Sequence, residues 1–135
     1  MKIVLDANVV IAAFAARGLC ESIFEVCLSD HEIVLSDDLL DEILRNLRRK
    51  INLPTDVVDN IGDLLREHSN FSIPVPLPAD LCRDPDDTKI LGLAIASNAD
   101  CIVTGDKDLL VLKTFQGIPI LNPRSFSDIL HTGKK

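Results

Sequence analysis

Apolar residues in this chain form short runs that alternate with longer stretches of helical periodicity. The short runs are rich in Ile, Val and Leu and are bounded by turn residues, which is typical of buried strands. Five such runs are predicted to be strands: residues 3–5, 33–35, 73–75, 102–104 and 118–121. Six stretches with helical spacing are predicted to be helices: residues 19–29, 37–50, 55–69, 86–98, 107–113 and 124–131.

The connections between the predicted strands are long enough to be helical crossovers. This spacing favours an α/β fold with a mostly parallel sheet of about five strands and helices on both faces. The chain has 135 residues and shows no repeat, linker or low-complexity stretch, so we predict a single domain over residues 1–135. The Pro-rich segment that starts at Ile73 is predicted to be an edge strand that leads into an extended loop.

Composition fits a globular protein with a filled core, since 47% of the residues are hydrophobic and 26% are charged. No apolar run approaches the ~20 residues of a membrane helix. The first ten residues, MKIVLDANVV, do not resemble a signal peptide because Asp6 interrupts the apolar run. We therefore expect a cytoplasmic protein without a membrane segment. The four cysteines form no CxxC and have no zinc-ligand spacing to the histidines, which predicts buried, reduced thiols.

The net charge of −7 argues against a nucleic-acid-binding protein, because phosphate contacts require Lys and Arg. However, net charge averages over the surface, and several acids clustered in one pocket can be neutralised by bound cations. Local basic clusters are also present. They consist of Arg45, Arg48, Arg49 and Lys50 on one segment, and Lys107 with Lys113 on another.

Two acids directly follow predicted strands. Asp6 comes after the first run, and Asp106 comes after the fourth, where Gly105 permits a tight turn. In an open parallel sheet, ligands bind outside the carboxyl ends of the strands, so both acids are candidate site residues. The alternative for Asp6 is a turn that closes the strand. Asp108 is more simply explained as a first-turn acid that faces the helix dipole.

Asp87 lies at the head of an apolar helix face. In a helix, Asp87 is in line with a stripe formed by Ile90, Leu91, Ala94 and Ile95. A carboxylate on a buried face must be neutralised, hydrogen-bonded or bound to a cation. By contrast, Asp84 and Asp86 are explained as the N-cap and a first-turn acid around Pro85.

Glu42 and Asp41 flank the apolar face of the predicted helix 37–50 on opposite sides. Helical geometry does not choose between them, and solvent exposure of both is the alternative. Together with the acids after the strands, one of them would place several carboxylates in one cleft. Crowded carboxylates raise one another's pKa, and a divalent cation is the simplest way to keep them ionised. Oxygen ligands alone favour Mg²⁺ or Mn²⁺, and such a site carries out hydrolysis.

The chain resembles the PIN-domain (PilT N-terminus-like) family. Four motifs in order carry the resemblance: LDANV at 5–9, SDDLLDEIL at 36–44, DPDDTKILGLA at 84–94 and IVTGDKDL at 102–109. The resemblance covers nearly the whole chain. It implies a three-layer α/β/α sandwich and a metal-dependent endoribonuclease. Many members are toxins of toxin–antitoxin pairs, so RNA as substrate and an antitoxin protein as partner are implied too.

The resemblance also assigns roles to residues. The catalytic and metal-binding acids are Asp6, Glu42, Asp87 and Asp106, and the motif therefore selects Glu42 over Asp41. Asp6 and Asp106 are expected to hold Mg²⁺ or Mn²⁺, with Glu42 and Asp87 completing the shell. The supporting polar residues are Asn8 and Thr104. The local basic clusters, rather than the resemblance, make Arg45, Arg48 and Lys107 the expected RNA contacts. Small relatives commonly pair, so a homodimer is expected.

Three other functions compete with this interpretation. A haloacid-dehalogenase-type phosphatase would use Asp6 as a nucleophile, but it needs an acid where this chain has Asn8. A receiver-like switch needs an acid after the third strand, where this chain has Pro76, Leu77 and Pro78. The strongest competitor is a PIN fold that serves as a binding or assembly module with negligible turnover, because acids can remain after activity fades.

Overall fold

The computed structural model describes residues 1–132, which form six strands and seven helices. The strands are β1 (Lys2–Leu5), β2 (Glu32–Leu35), β3 (Ser69–Phe71), β4 (Cys101–Val103), β5 (Thr114–Phe115) and β6 (Ile118–Leu121). The helices are α1 (Ala7–Ala15), α2 (Leu19–Asp30), α3 (Asp37–Arg49), α4 (Thr55–His68), α5 (Pro85–Ser97), α6 (Lys107–Leu110) and α7 (Pro123–Thr132). The last three residues of the predicted domain 1–135 lie outside the described residues.

The strands form one sheet in the order β3-β2-β1-β4-β6-β5. Pairing is parallel from β3 to β6, and only the short β5 runs antiparallel to its neighbour β6. The predicted α/β class with a mostly parallel sheet is confirmed, with six strands rather than about five. The central strands β1, β2 and β4 contain fully buried apolar runs, such as Ile3, Val4 and Leu5 in β1, because helices cover both faces of the sheet there.

The order of the strands creates a switch point between β1 and β4. The chain moves from β1 to β2 and β3 on one side, then crosses back to place β4 on the other side of β1. Helix α5 lies in that crossover and packs on β1 and β2. Crevices at such switch points, outside the carboxyl ends of the strands, are where open α/β sheets bind ligands. The amide of Asp6 donates to the carbonyl of Val103 at 3.0 Å, which joins the two strand ends at this point.

The prediction of a strand at 73–75 is wrong. The third strand begins directly after α4, where Ser69 pairs with Ile33 and Phe71 pairs with Leu35. Pro74 and Pro76 have no amide hydrogen for a ladder, so the segment crosses α5 instead. There the amide of Val75 donates to the carbonyl oxygen of Gly92 at 3.1 Å.

Helix α1 and strand β5 were not predicted from the sequence. The residues of α1 are apolar on nearly all sides, so the helix has no polar face that would reveal its period. The strand β5 has two residues and depends on a tight hairpin in which Gln116 and Gly117 both have positive φ, at 49° and 83°. The predicted helix 107–113 is also too long, since α6 ends at Leu110.

Within residues 1–132, no helix combines the length and the apolar character needed to cross a membrane. Cys27 and Cys101 are buried in the core, as predicted for small apolar residues, whereas Cys20 and Cys82 are only half-buried.

Candidate metal centre

Asp6 links the end of β1 to the start of α1. It is the N-cap of α1, and its Oδ1 accepts a hydrogen bond from the Ala7 amide at 2.7 Å. Its Oδ2 accepts from the Thr104 hydroxyl, also at 2.7 Å. Asp6 is buried, and burial raises the pKa of its carboxyl, while the bonds from Thr104 and Ala7 act in the opposite direction. Asp6 therefore acts as a helix cap and also lies in an acidic site.

Thr104 connects Asp6 to a second acid at the end of β4. The Thr104 side chain is fully buried, and its hydroxyl also accepts a hydrogen bond from the Asp106 amide at 3.0 Å. Asp106 is the N-cap of α6, and its Oδ1 accepts from the Asp108 amide at 2.8 Å. One hydroxyl thus sets the positions of both strand-end acids.

Asp87 projects into this region from the first turn of α5 and is only 4% exposed. Burial raises the pKa of its carboxyl to about 7, and a hydrogen bond to Asp106 and the charge of Asp106 add to the effect. Two carboxyl groups share such a bond only while one of them carries a proton. Oδ2 of Asp87 is buried without a hydrogen-bond partner among residues 1–132. A buried, unpartnered carboxylate oxygen favours a bound cation.

Three carboxylates meet closely enough to hold such a cation. Asp87, Asp106 and Asp108 each offer one oxygen, and these oxygens lie within 4.8 Å of one another. A donor set of carboxylate oxygens fits Mg²⁺ or Mn²⁺ better than zinc, which prefers nitrogen and sulfur ligands. The residues present therefore fit a hard divalent cation, which would polarise a bound oxygen and support hydrolysis.

Glu42 lies beside this cluster rather than in it. It is half-buried in a cleft of about 230 Å³ between α3 and α5, whereas its neighbour Asp41 is exposed at the edge of the same cleft. Burial raises the pKa of Glu42, and the negative charges of Asp86 and Asp6 add to this, opposed by Arg45. Glu42 is thus within electrostatic range of Asp6, but the structure does not place it among the three close carboxylates.

The other predicted site residues are spread around this region. Asn8 is exposed in the first turn of α1, and Lys107 is the exposed first residue of α6. Arg45 lines the cleft together with Glu42, and Arg48 is exposed one turn further along α3. The structure therefore brings Asp6, Asp87, Asp106 and Thr104 together, with Glu42 and Arg45 at the side.

Two residues at the cluster, Asp108 and Arg83, were not among the site residues predicted from the sequence. Asp108 was interpreted as a first-turn acid, which it is. Its backbone amide also donates a hydrogen bond to Asp106, and its carboxylate lies beside that of Asp87. The spacing of Asp106 and Asp108 at the start of a helix is a feature of the sequence that could have identified Asp108 as a site residue. Arg83 forms a salt bridge with Asp108, with 2.7 Å between Nη2 and Oδ1. No pattern in the sequence indicated that pair, since 25 positions separate the two residues.

Comparisons with known proteins agree with this architecture. Residues 2–108 match the sequence model of the PIN domain. The uncharacterized protein MJ1680 of Methanocaldococcus jannaschii is 28% identical over 127 aligned residues, which cover 84% of this chain and 76% of that protein.

Two solved structures are similar in fold. VapBC2 from Rickettsia felis, bound to a DNA fragment from their promoter, superposes with a TM-score of 0.60 at 17% identity. The match covers 90% of this chain and 98% of that one. VapBC-1 from nontypeable Haemophilus influenzae gives a TM-score of 0.60 at 16% identity and covers 92% of this chain and 99% of that one. At these identities the likeness is one of fold.

Proposed function

The chain belongs to the PIN-domain family, and we propose that it is a nuclease that depends on Mg²⁺ or Mn²⁺ and hydrolyses phosphodiester bonds in RNA. One observation carries the proposal. Asp87, Asp106 and Asp108 bring carboxylate oxygens within 4.8 Å of one another at the carboxyl edge of the sheet, and Asp87 Oδ2 is buried without a partner within residues 1–132. With a bound cation, an acid cluster of this kind can support hydrolysis. Without a cation, its crowded and partly buried carboxylates lower the stability of the fold.

The acids have distinct proposed roles. Asp87, Asp106 and Asp108 would hold the cation, and Asp6, which Thr104 ties to Asp106, would complete its surroundings. A bound divalent cation lowers the pKa of a water and polarises the phosphate. Glu42, at the side of the cluster, would accept a hydrogen bond from the attacking water and orient it. Asn8, in the first turn of α1, is the remaining polar residue that we assign to the edge of the site.

The basic residues would contact phosphates that flank the cleaved bond. Arg45 lines the cleft with Glu42, Arg48 is exposed one turn further along α3, and Lys107 is exposed at the start of α6. Such contacts position the strand without reading its sequence. In the proposed reaction water attacks the phosphorus, the bond to the 3′-oxygen breaks and that oxygen leaves as a 3′-hydroxyl, so the products should carry 5′-phosphate and 3′-hydroxyl ends. Products with 2′,3′-cyclic phosphates would contradict this mechanism.

The direct test is hydrolysis of a mixed panel of single-stranded and structured RNAs with Mn²⁺, and again after EDTA is added. We expect cleavage by the wild type with Mn²⁺ and none with EDTA. The variant Asp87→Asn should lose at least a hundredfold in rate, on the order of what a positioned charge contributes. The matched control Asp59→Asn changes an exposed acid on α4 and should cleave normally. Intact RNA in every reaction would favour the alternative, a binding or assembly module.

We further propose that the chain is the toxin of a toxin–antitoxin pair, acting on RNA in the cytoplasm, with an antitoxin protein as its partner. The resemblance to the family and the similar fold of the two VapBC structures support this. Induced expression in a bacterial host should arrest growth, and Asp87→Asn should not. Normal growth at a matched level of the wild-type protein would argue against a toxin.

A homodimer is part of the same proposal. Exposed apolar residues such as Ile73 and Val111, at 88% and 73% exposure, leave apolar surface for a second copy. An interface of standard size should persist at ~100 µM, where light scattering is expected to give twice the monomer mass. A monomer at that concentration would remove this part of the proposal.

A further inference from the structure

The positively charged side chain of Arg83 lies at the rim of the acidic cluster. Arg83 Nη2 is 2.7 Å from Asp108 Oδ1, and Asp108 is one of the three carboxylates that meet within 4.8 Å. Among residues 1–132, the only other salt bridge joins Lys89 and Asp38, at 3.6 Å. Arg83 is therefore the cation that the described structure pairs with this cluster.

Most of the N–H donors of the Arg83 guanidinium are available to bind another group. A guanidinium has five N–H donors in a planar fork, and the bond to Asp108 uses one of its terminal nitrogens. The Arg83 side chain is 85% exposed, so its other donors face solvent. Arginine binds phosphate with two parallel hydrogen bonds, and it does so most effectively when its position is already fixed. The bond to Asp108 orients the Arg83 guanidinium at the rim of the cluster.

The backbone holds Arg83 close to the site. Arg83 directly precedes Asp84, the N-cap of α5, whose Oδ1 accepts from the Asp86 amide at 2.9 Å. This bond anchors the start of the helix that carries Asp87. Arg83 thus enters the region from the helix start, at the carboxyl edge of the sheet.

A positive group is needed at this edge. The protein carries a net charge of −7, and the cluster itself repels a phosphate backbone. We propose that Arg83 is a phosphate-binding residue of the RNA site, held at the rim of the acidic cluster by Asp108. This inference rests on the proposed function and adds a substrate contact to it. Arg45 and Lys107 would bind flanking phosphates, whereas Arg83 binds the one next to the cluster.

A simpler role for Arg83 would be to neutralise Asp108. Exposed ion pairs add little to stability, so replacing Arg83 should leave the fold intact. The two roles differ in the salt dependence of RNA binding. Each phosphate contact to a single strand contributes about 0.7 to the slope of log K against log salt. A residue that only neutralises Asp108 contributes nothing of that kind.

The experiment measures binding of a fluorescein-labelled single-stranded RNA by anisotropy across a KCl series. Ca²⁺ replaces Mn²⁺, and a denaturing gel verifies that the RNA remains intact. The proteins are the full-length wild type, Arg83→Ala, Arg83→Gln, Arg83→Lys and Arg17→Ala. Arg17, an exposed arginine between α1 and α2, is the matched control. Thermal unfolding with and without Mn²⁺ is recorded for each protein as a second readout.

Arg83→Ala and Arg83→Gln should bind RNA about tenfold more weakly at low salt, with a slope smaller by about 0.7. Arg83→Lys should keep the slope but recover only part of the affinity, because an ammonium lacks the fork. Arg17→Ala should match the wild type. All of these proteins should show the wild-type Mn²⁺ response, since Arg83 contacts the substrate rather than the cation.

Wild-type affinity and slope in both neutral variants would overturn the inference and leave the nuclease proposal standing. Loss of the Mn²⁺ response in both would also overturn it, because Arg83 would then act through the cation site. A wild-type protein that neither binds nor cleaves RNA would overturn both proposals together.

Discussion

The hydroxyl of Thr104 donates to Asp6 Oδ2 at 2.7 Å, across 98 positions of sequence. The same hydroxyl accepts from the Asp106 amide at 3.0 Å. A single buried side chain thus joins the ends of β1 and β4 and fixes two acids of the candidate metal centre. The geometry of the site depends on this residue, whose hydroxyl is engaged in both hydrogen bonds.

Replacing Thr104 with Val tests this link. Val preserves the shape but removes the donor to a buried carboxylate, so the free energy of unfolding should fall by about 2 kcal/mol. Urea denaturation in EDTA measures this. The control Thr104→Ser keeps the hydroxyl and loses one methyl group, which should cost about 1 kcal/mol. A Val variant at least as stable as the Ser variant would show that the bond is unimportant.

The raised pKa of Asp87 predicts how stability changes with pH in the metal-free protein. Its carboxyl has an ordinary pKa of 3.8 and a folded-state pKa of about 7, so over that interval the folded state keeps a proton that the unfolded state has released. The free energy of unfolding should therefore fall as pH rises from about 4 to about 7, and then level off. Each unit of difference between the folded-state and unfolded-state pKa changes the free energy of unfolding by about 1.4 kcal/mol.

Urea denaturation in EDTA across that pH range measures the slope. Asp87→Asn should flatten it and should be more stable than the wild type near pH 8, because it removes a desolvated charge. Burial also raises the pKa of Asp6 and of Glu42, so part of the slope should remain. A wild-type slope in Asp87→Asn would mean that its carboxyl titrates normally.

Gly92 provides a test of how the Pro-rich segment packs. A Cβ at Gly92 would collide with the carbonyl oxygen of Val75, a backbone atom that has little room to move. Gly92→Ala should therefore lose about 2 kcal/mol in the free energy of unfolding. Gly62 is the matched control on α4, where the nearest atom is a flexible Leu44 methyl at 3.1 Å. Gly62→Ala should be close to neutral, and equal effects at both sites would contradict the packing.

Much of the fold could be predicted from the sequence because buried strands and amphipathic helices have distinct periods. Helix α3 was placed within one residue, since its apolar face is regular and Ser36 caps it by accepting from the Leu39 amide. The third strand was misplaced because it depends on pairing with β2, whereas the apolar residues after it are the ones that stand out in the sequence. Ile73 is one of these apolar residues, yet its side chain is 88% exposed and lies outside the strand.

The site was partly predictable for a similar reason. Asp87 was identified by its place at the head of a buried helix face, and it is indeed buried. Asp108 and Arg83 were not identified, because their role depends on distances between α6 and the start of α5 that no local pattern records. Which of the acids bind metal or act in catalysis stays a prediction.

If the acidic cluster binds a divalent cation, thermal unfolding with and without Mn²⁺ should show it. A ligand that binds only the folded state stabilises it by RT ln(1 + [L]/Kd), or about 2.7 kcal/mol at a hundredfold excess over Kd. The wild type and the control Asp59→Asn should melt several degrees higher with Mn²⁺, and Asp87→Asn should show no such rise. An equal rise in Asp87→Asn, or none in the wild type, would contradict the account.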